Sequence, residues 1–148
     1  MGDRIAGHIR PVTLAPVDPG AIGTPETVGW LALEYMQHTG SFKARGARNF
    51  LAAHREAGTL PGAGVTIASG GNAGLACAWA ARAEGVKATV FLPETAPPVK
   101  AARLESYGAE VRLVGAEYAE ALAACEASGP CCGAATRPTP PSPTPTTC

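Results

Sequence analysis

The clearest structural signal in the chain is the segment Val65-Thr-Ile-Ala-Ser-Gly-Gly-Asn-Ala-Gly74. It opens with a short β-branched run next to glycine, which predicts a buried strand over 65–69. The Ala-rich stretch that follows predicts a helix over 72–84, ended by Gly85. A strand that leads into a helix through two glycines is the first half of a βαβ unit.

The same alternation of strand and helix continues on both sides of this segment. Apolar and β-branched runs predict further strands over 28–36, 88–92 and 110–114, and helices are expected over 41–57, 97–107 and 116–127. Ser41 is a plausible N-cap for its helix, and Gly58 and Gly108 are placed to end helices. This order predicts an α/β fold with an open parallel sheet built from right-handed βαβ units.

Length and composition exclude several classes of protein. The 148 residues are one domain's worth, with 12 basic and 12 acidic side chains and 46% hydrophobic residues. Zero net charge disfavours a nucleic-acid binder. No apolar run reaches the roughly 18 residues of a membrane span, and the N-terminus lacks the apolar core of a secretory signal. A cytoplasmic protein without a membrane partner is expected. The cysteines form no CxxC, and no histidine follows His54, so no metal site is expected.

Composition changes abruptly at the C-terminus. Residues 129–148 hold 6 of the 14 prolines, 3 of the 5 cysteines and a single charge, Arg137. Because proline lacks the N–H and fixes φ, we expect a disordered, partly polyproline tail. Two other interpretations stay open: a proline-rich ligand for an aromatic groove, and a shifted reading frame that ends a longer ancestral protein.

The first candidate for chemistry is the lysine in Thr39-Gly-Ser-Phe-Lys-Ala-Arg-Gly-Ala47. Lys43 lies in the first turn of an expected helix, where a positive charge opposes the helix dipole. Such surroundings suit a lysine that attacks carbonyl groups. The alternative is an ordinary surface lysine, which most lysines are.

The second candidate is the turn Ser69-Gly-Gly-Asn72 between the expected strand and helix. Gly70 and Gly71 allow close approach of a ligand to the backbone, while Ser69 and Asn72 add polar side chains. At the N-terminus of a helix this makes a cradle for a carboxylate or phosphate. It is neither the GxGxxG pattern nor a P-loop. The alternative is a tight turn with a capping asparagine.

Taken together, Ser41-Phe-Lys-Ala-Arg-Gly-Ala47 and Ser69-Gly-Gly-Asn72 resemble the fold-type II pyridoxal-phosphate enzymes. Within that family they look most like the serine/threonine dehydratase (threonine ammonia-lyase) group, and the resemblance spans roughly residues 4–128. It implies an enzyme that uses pyridoxal 5'-phosphate to convert L-threonine or L-serine to a 2-keto acid and ammonia. It also implies a homo-oligomer for the full-length family, with a small amino acid as substrate.

The resemblance also implies roles for individual residues. Lys43 would form the Schiff base with the cofactor, Phe42 would help seat its ring, and Asn72 would hydrogen-bond its phenolic oxygen. Ser69, Gly70, Gly71 and Asn72 would hold the substrate carboxylate. Serine racemase relatives carry a second serine where this chain has Gly70, so dehydration fits better than racemisation.

Length is the main departure from the family, whose members are roughly twice as long. The resemblance implies that residues 1–64 belong to the large cofactor domain, 65–128 form a small α/β domain, and 129–148 are the tail. It also places the glycine-rich loop that holds the cofactor phosphate in the half absent here, so the chain alone should be poorly active. The alternatives are a non-catalytic α/β binding module that pairs with another chain, and a non-functional truncated product.

Overall fold

The computed structural model describes residues 2–129. Its elements are, in order, α1 (Gly2–Ile5), β1 (Leu14–Val17), β2 (Gly29–Ala32), the 3-10 turns Glu34–Met36 and His38–Gly40, α2 (Lys43–Glu56), β3 (Val65–Ala68), α3 (Asn72–Ala83), β4 (Ala88–Leu92), α4 (Pro98–Ser106), β5 (Glu110–Leu113) and α5 (Tyr118–Ala127). The expected tail begins at the last described residue, and the rest of it lies outside the described residues. Within 2–129, no helix combines the length and apolarity of a membrane span.

The parallel sheet predicted from the sequence is confirmed. Strands β3, β4 and β5 lie side by side in that order, with Val65 opposite Ala88 and Val90 opposite Val111. Each strand is followed by a helix, as βαβ units require. The predicted ends of these elements agree with the structure to within about two residues. The core lies between this sheet and its helices, where Leu51, Val90 and Leu104 are fully buried.

The N-terminal part differs from the prediction. The strand expected over 28–36 is present only as Gly29–Ala32, and it pairs with β1 in an antiparallel ribbon separate from the parallel sheet. Strand β1 was not predicted, because it is short and contains Pro16, which is typical of edge strands and turns. After Ala32 the chain turns at Leu33 (φ −80°, ψ 67°) into a 3-10 turn, so the apolar run stops being a strand.

The predicted helix cap at Ser41 is wrong. Helix α2 begins at Lys43 with Phe42 at the N-cap, and no side chain of the described residues bonds to that cap. The cause is the preceding backbone, where Thr39 (φ +64°) and Gly40 (φ +78°) are both left-handed. After that turn the Ser41 side chain is buried, and among the described residues its hydroxyl makes no hydrogen bond to the helix amides. The predicted stops at Gly58 and Gly108 do adopt left-handed conformations.

Helices α2 and α3 pack directly against each other and are joined by a buried ion pair. The Arg48 guanidinium on α2 contacts the carboxylate of Glu84, the C-cap of α3, and both side chains are over nine-tenths buried. Arg55, which lies two turns after Arg48 on α2, contacts the same carboxylate from the exposed side. These contacts fix the two helices whose first residues are the candidate residues Lys43 and Asn72.

Candidate active site

The Ser69–Asn72 turn lies at the carboxyl end of the parallel sheet. Strand β3 ends at Ala68 and α3 begins at Asn72, so the turn connects them in three residues. Within residues 2–129 no side chain caps the start of α3. The first amide N–H groups of a helix lack partners inside the helix, and here they stay available to an anion.

The turn is arranged by one internal hydrogen bond. The Gly71 N–H donates to Ser69 Oγ at 3.3 Å, which holds the serine side chain against the turn. Gly71 and Asn72 are exposed, and Ser69 and Gly70 are half-buried. The structure therefore brings together all four residues predicted to hold a carboxylate, and it leaves their outer side open to a ligand.

A third glycine, Gly74, sets how closely the turn approaches its helix. A Cβ at Gly74 would overlap the Ser69 carbonyl oxygen and lie 3.1 Å from the carbonyl carbon. Ser69 can therefore lie against the first turn of α3 only because this position has no side chain. The sequence prediction assigned no role to Gly74. The signal in the sequence was a glycine inside a predicted helix, where glycine is otherwise unfavourable.

Lys43 is the first residue of α2 and is exposed. Its Nζ lies 4.8 Å from the centroid of the Phe42 ring, and that ring is itself 57% exposed. The first turn of α2 carries no acidic residue, so the positive end of the helix and the lysine charge are not neutralised there. This pair presents an amine and an aromatic surface to the outside of the fold.

The segment before Lys43 is strained and polar. Thr39 is left-handed although it is not glycine, and it is 5% exposed. The hydroxyls of Thr39 and Ser41 are buried and have no hydrogen-bond partner among residues 2–129. Left-handed threonine and orphaned hydroxyls are costly, and such costs concentrate at functional sites.

An aromatic stack holds this segment against α3. The His38 ring stacks on Trp79 with 4.8 Å between ring centroids and 17° between planes. Burial, and secondarily the charge of Arg10, lower the pKa of His38. Both rings line a cleft of about 410 Å³ that also includes Arg10 and Arg103. The backbone leading to Lys43 is therefore tied to the helix that begins at Asn72.

The predicted site residues form two groups, one at the start of α2 and one at the start of α3, and these two helices pack against each other. Phe42 and Lys43 contact each other, and residues 69–72 form one turn. Within the described chain, no hydrogen bond or ion pair joins the first group to the second. The two groups supply an amine, an aromatic ring, an amide side chain and unpaired helix N–H groups. These suit the aldehyde and the ring of pyridoxal phosphate and the carboxylate of an amino acid.

Comparisons with known proteins agree with this chemistry. A segment of 92 residues is 47% identical to L-threonine ammonia-lyase of Geobacter sulfurreducens, covering 62% of this chain and 22% of that protein. The structure is similar to a pyridoxal 5'-phosphate-dependent aspartate racemase (TM-score 0.70, 41% identity, 85% of this chain and 39% of that one). It is also similar to threonine deaminase isoform 2 of Solanum lycopersicum (TM-score 0.61, 32% identity, 67% and 27%).

The chain therefore spans well under half the length of these relatives. The family match is nevertheless extensive, since it runs over residues 5–138. It includes both the Phe42–Lys43 pair and the Ser69–Asn72 turn. The chain belongs to the family of pyridoxal-phosphate dependent enzymes.

Proposed function

We propose that this chain is part of a cytoplasmic serine/threonine dehydratase that converts L-threonine or L-serine to a 2-keto acid and ammonia. The observation that carries the proposal is Lys43, an exposed lysine at a helix start, beside Phe42 and on a helix packed against α3. The identity to L-threonine ammonia-lyase supports the choice of reaction.

In this proposal the cofactor contacts are divided between the two groups of residues. The Lys43 amine would bind the aldehyde carbon of pyridoxal phosphate, Phe42 would pack on the ring, and the Asn72 amide would hydrogen-bond the phenolic oxygen. When bound, the cofactor supplies an electron sink for the bond that breaks at the substrate Cα.

The substrate contacts come from the turn and the lysine. The N–H groups of Gly70 and Asn72 and the Ser69 hydroxyl would hold the α-carboxylate, which fixes the amino acid in one orientation. The Gly71 N–H would join them by exchanging its 3.3 Å hydrogen bond to Ser69 Oγ for one to the carboxylate. The substrate amine would displace Lys43 from the aldehyde carbon, and the freed Lys43 amine would then accept the α-proton as a general base. Loss of the β-hydroxyl as water, followed by uptake of water at the α-carbon, releases the keto acid and ammonia.

A second candidate function is amino-acid racemisation, which the similarity to the aspartate racemase favours. Racemisation needs a proton donor on the face of Cα opposite the base, and Gly70 offers no hydroxyl there. A Cβ at Gly70 would lie 3.0 Å from Leu92 Cδ2, so little space remains for a larger side chain. For that reason dehydration is the proposal we favour.

The proposal also assigns the two parts of the chain to domains and the complete enzyme to an oligomer. Residues 1–64 would belong to the large cofactor domain and residues 65–128 to the small domain, and the complete enzyme would be a homo-oligomer. If the chain instead acts without catalysis, it would be an α/β module that pairs with a second polypeptide.

Product analysis tests the proposed function. The purified 148-residue chain is incubated with pyridoxal phosphate and L-threonine or L-serine, and keto acid and D-amino acid are measured. We expect slow keto-acid formation that is lost in Lys43→Ala and retained in Lys87→Ala. Accumulation of the D-amino acid without keto acid would favour racemisation. Equal product from the wild type and Lys43→Ala would contradict the proposal.

A further inference from the structure

Lys100 lies beside the Ser69–Asn72 turn although it is 28–31 residues away in sequence. Strands β3 and β4 are parallel neighbours, so the loops at their carboxyl ends meet at the same edge of the sheet. Helix α4 follows β4, and Lys100 is in its first turn. Its Cδ atom lies 3.6 Å from the point that a Cβ at Gly70 would occupy. The ammonium group is only two bonds further along the side chain.

The charge of Lys100 has no partner in the described part of the chain. Of the three lysines in the sequence, Lys87 pairs with Glu110, whereas no ion pair to Lys43 or Lys100 is formed among residues 2–129. The first turn of α4 contains no acidic residue. A lysine at the positive end of a helix is electrostatically unfavourable, and an anion nearby would relieve that cost.

The Ser69–Asn72 turn next to Lys100 lacks a full positive charge, which Lys100 can supply. The unpaired N–H groups at the start of α3 attract a carboxylate but carry only partial positive charge. A full ammonium charge at the edge of the same turn would make one of the contacts a charge-assisted hydrogen bond, which is shorter and stronger than a neutral one. The long lysine side chain can adjust to the bound carboxylate without movement of the backbone.

We infer that Lys100 is a substrate-binding residue, whose ammonium pairs with the α-carboxylate of the amino acid held on the Ser69–Asn72 turn. The inference rests on the proposed function, because it assigns an additional contact to the same substrate. It predicts a preference for amino acids with a free carboxylate over their esters. Gly70 contributes by leaving the space in which the Lys100 side chain lies against the turn.

An NMR titration of the 148-residue chain with L-serine tests this inference. The amide signals of Gly70, Gly71 and Asn72 report on the turn, and the titration is repeated with L-serine methyl ester. The variants are Lys100→Gln, Lys100→Arg and, as a matched control, Lys87→Gln, which removes an exposed lysine elsewhere. Circular dichroism confirms that each variant is folded.

We expect Lys100→Gln to weaken L-serine binding by about three- to tenfold, between the effects of an exposed ion pair and a charge-assisted hydrogen bond. Lys100→Arg should bind nearly as well as the wild type, Lys87→Gln should be unchanged, and the methyl ester should not distinguish Lys100→Gln from the wild type. Equal L-serine affinity in wild type and Lys100→Gln would overturn the role of Lys100 and leave the turn as the carboxylate site. If L-serine does not shift the turn amides of the wild type, the carboxylate site and Lys100 both fail, whereas covalent labelling of Lys43 would be unaffected.

Discussion

The substitution Gly74→Ala tests whether the Ser69–Asn72 turn depends on close approach to helix α3. The added Cβ would overlap the Ser69 carbonyl oxygen and also lie 3.4 Å from Leu104 Cδ2 in the core. Because the clash is with backbone, the turn must move rather than a flexible side chain. Alanine gains up to about 1 kcal/mol in helix propensity, and overpacking costs about 1–3 kcal/mol. Because the overlap is with backbone, we take the upper part of the overpacking range, about 2–3 kcal/mol, and expect a net loss of roughly 1–2 kcal/mol in the free energy of unfolding.

Gly46→Ala is the matched control, because Gly46 lies inside α2 with no atom within 4 Å of an added Cβ. That change should raise the free energy of unfolding by about 0.5–1 kcal/mol. Urea denaturation followed by circular dichroism measures both variants, and NMR should show shifted Gly70 and Gly71 amides in Gly74→Ala alone. A Gly74→Ala protein as stable as Gly46→Ala, with unchanged turn amides, would refute the reasoning.

The remaining predictions concern the ion pair and the histidine. Glu84→Ala should lower the free energy of unfolding by about 3–5 kcal/mol in urea denaturation, because Arg48 is left buried without its partner. Arg55→Ala should cost at most about 1 kcal/mol, since that side chain is half-exposed, and equal losses would contradict this account. The pKa of His38 is lowered in the folded state, so the unfolded chain binds the proton more readily. The contribution of neutral His38 to the free energy of unfolding is therefore fully present above its unfolded pKa near 6.5, and it is lost as the pH falls through the lower folded pKa. NMR titration of Arg10→Ala should show a raised pKa of His38; an unchanged pKa would show that Arg10 does not contribute.

The C-terminal half of the described fold was predictable from local sequence. Strand β3 is a β-branched run beside glycine and β4 is a short apolar run, and both are largely buried on both faces, as strands of a parallel sheet are. The N-terminal ribbon was not predictable in this way. Its strand β1 is only four residues long and contains Pro16, so it gives no strand signal in the sequence. Its partner β2 was recognised as part of an apolar run, but it is mostly exposed, so the pattern does not reveal its end or its antiparallel pairing with β1.

In the candidate site, too, local sequence revealed some residues and not others. Residues 69–72 were found because they are contiguous and their chemistry is visible in one turn. Gly74 and Lys100 were missed, because their importance depends on what lies opposite them in space: the Ser69 carbonyl for one and Gly70 for the other. The wrong cap at Ser41 has the same origin, since the left-handed Thr39 that buries it is imposed by packing and not by threonine's own preference.

Reductive trapping of the cofactor lysine tests the central claim most directly. Pyridoxal phosphate is added to the 148-residue chain, the mixture is reduced with borohydride, and the labelled peptide is identified by mass spectrometry. We expect the label on Lys43, with Lys87 and Lys100 as internal controls of comparable exposure, and loss of that labelled peptide in Lys43→Ala. Labelling of Lys87 or Lys100 at or above the level of Lys43 would contradict the assignment of Lys43 as the cofactor lysine.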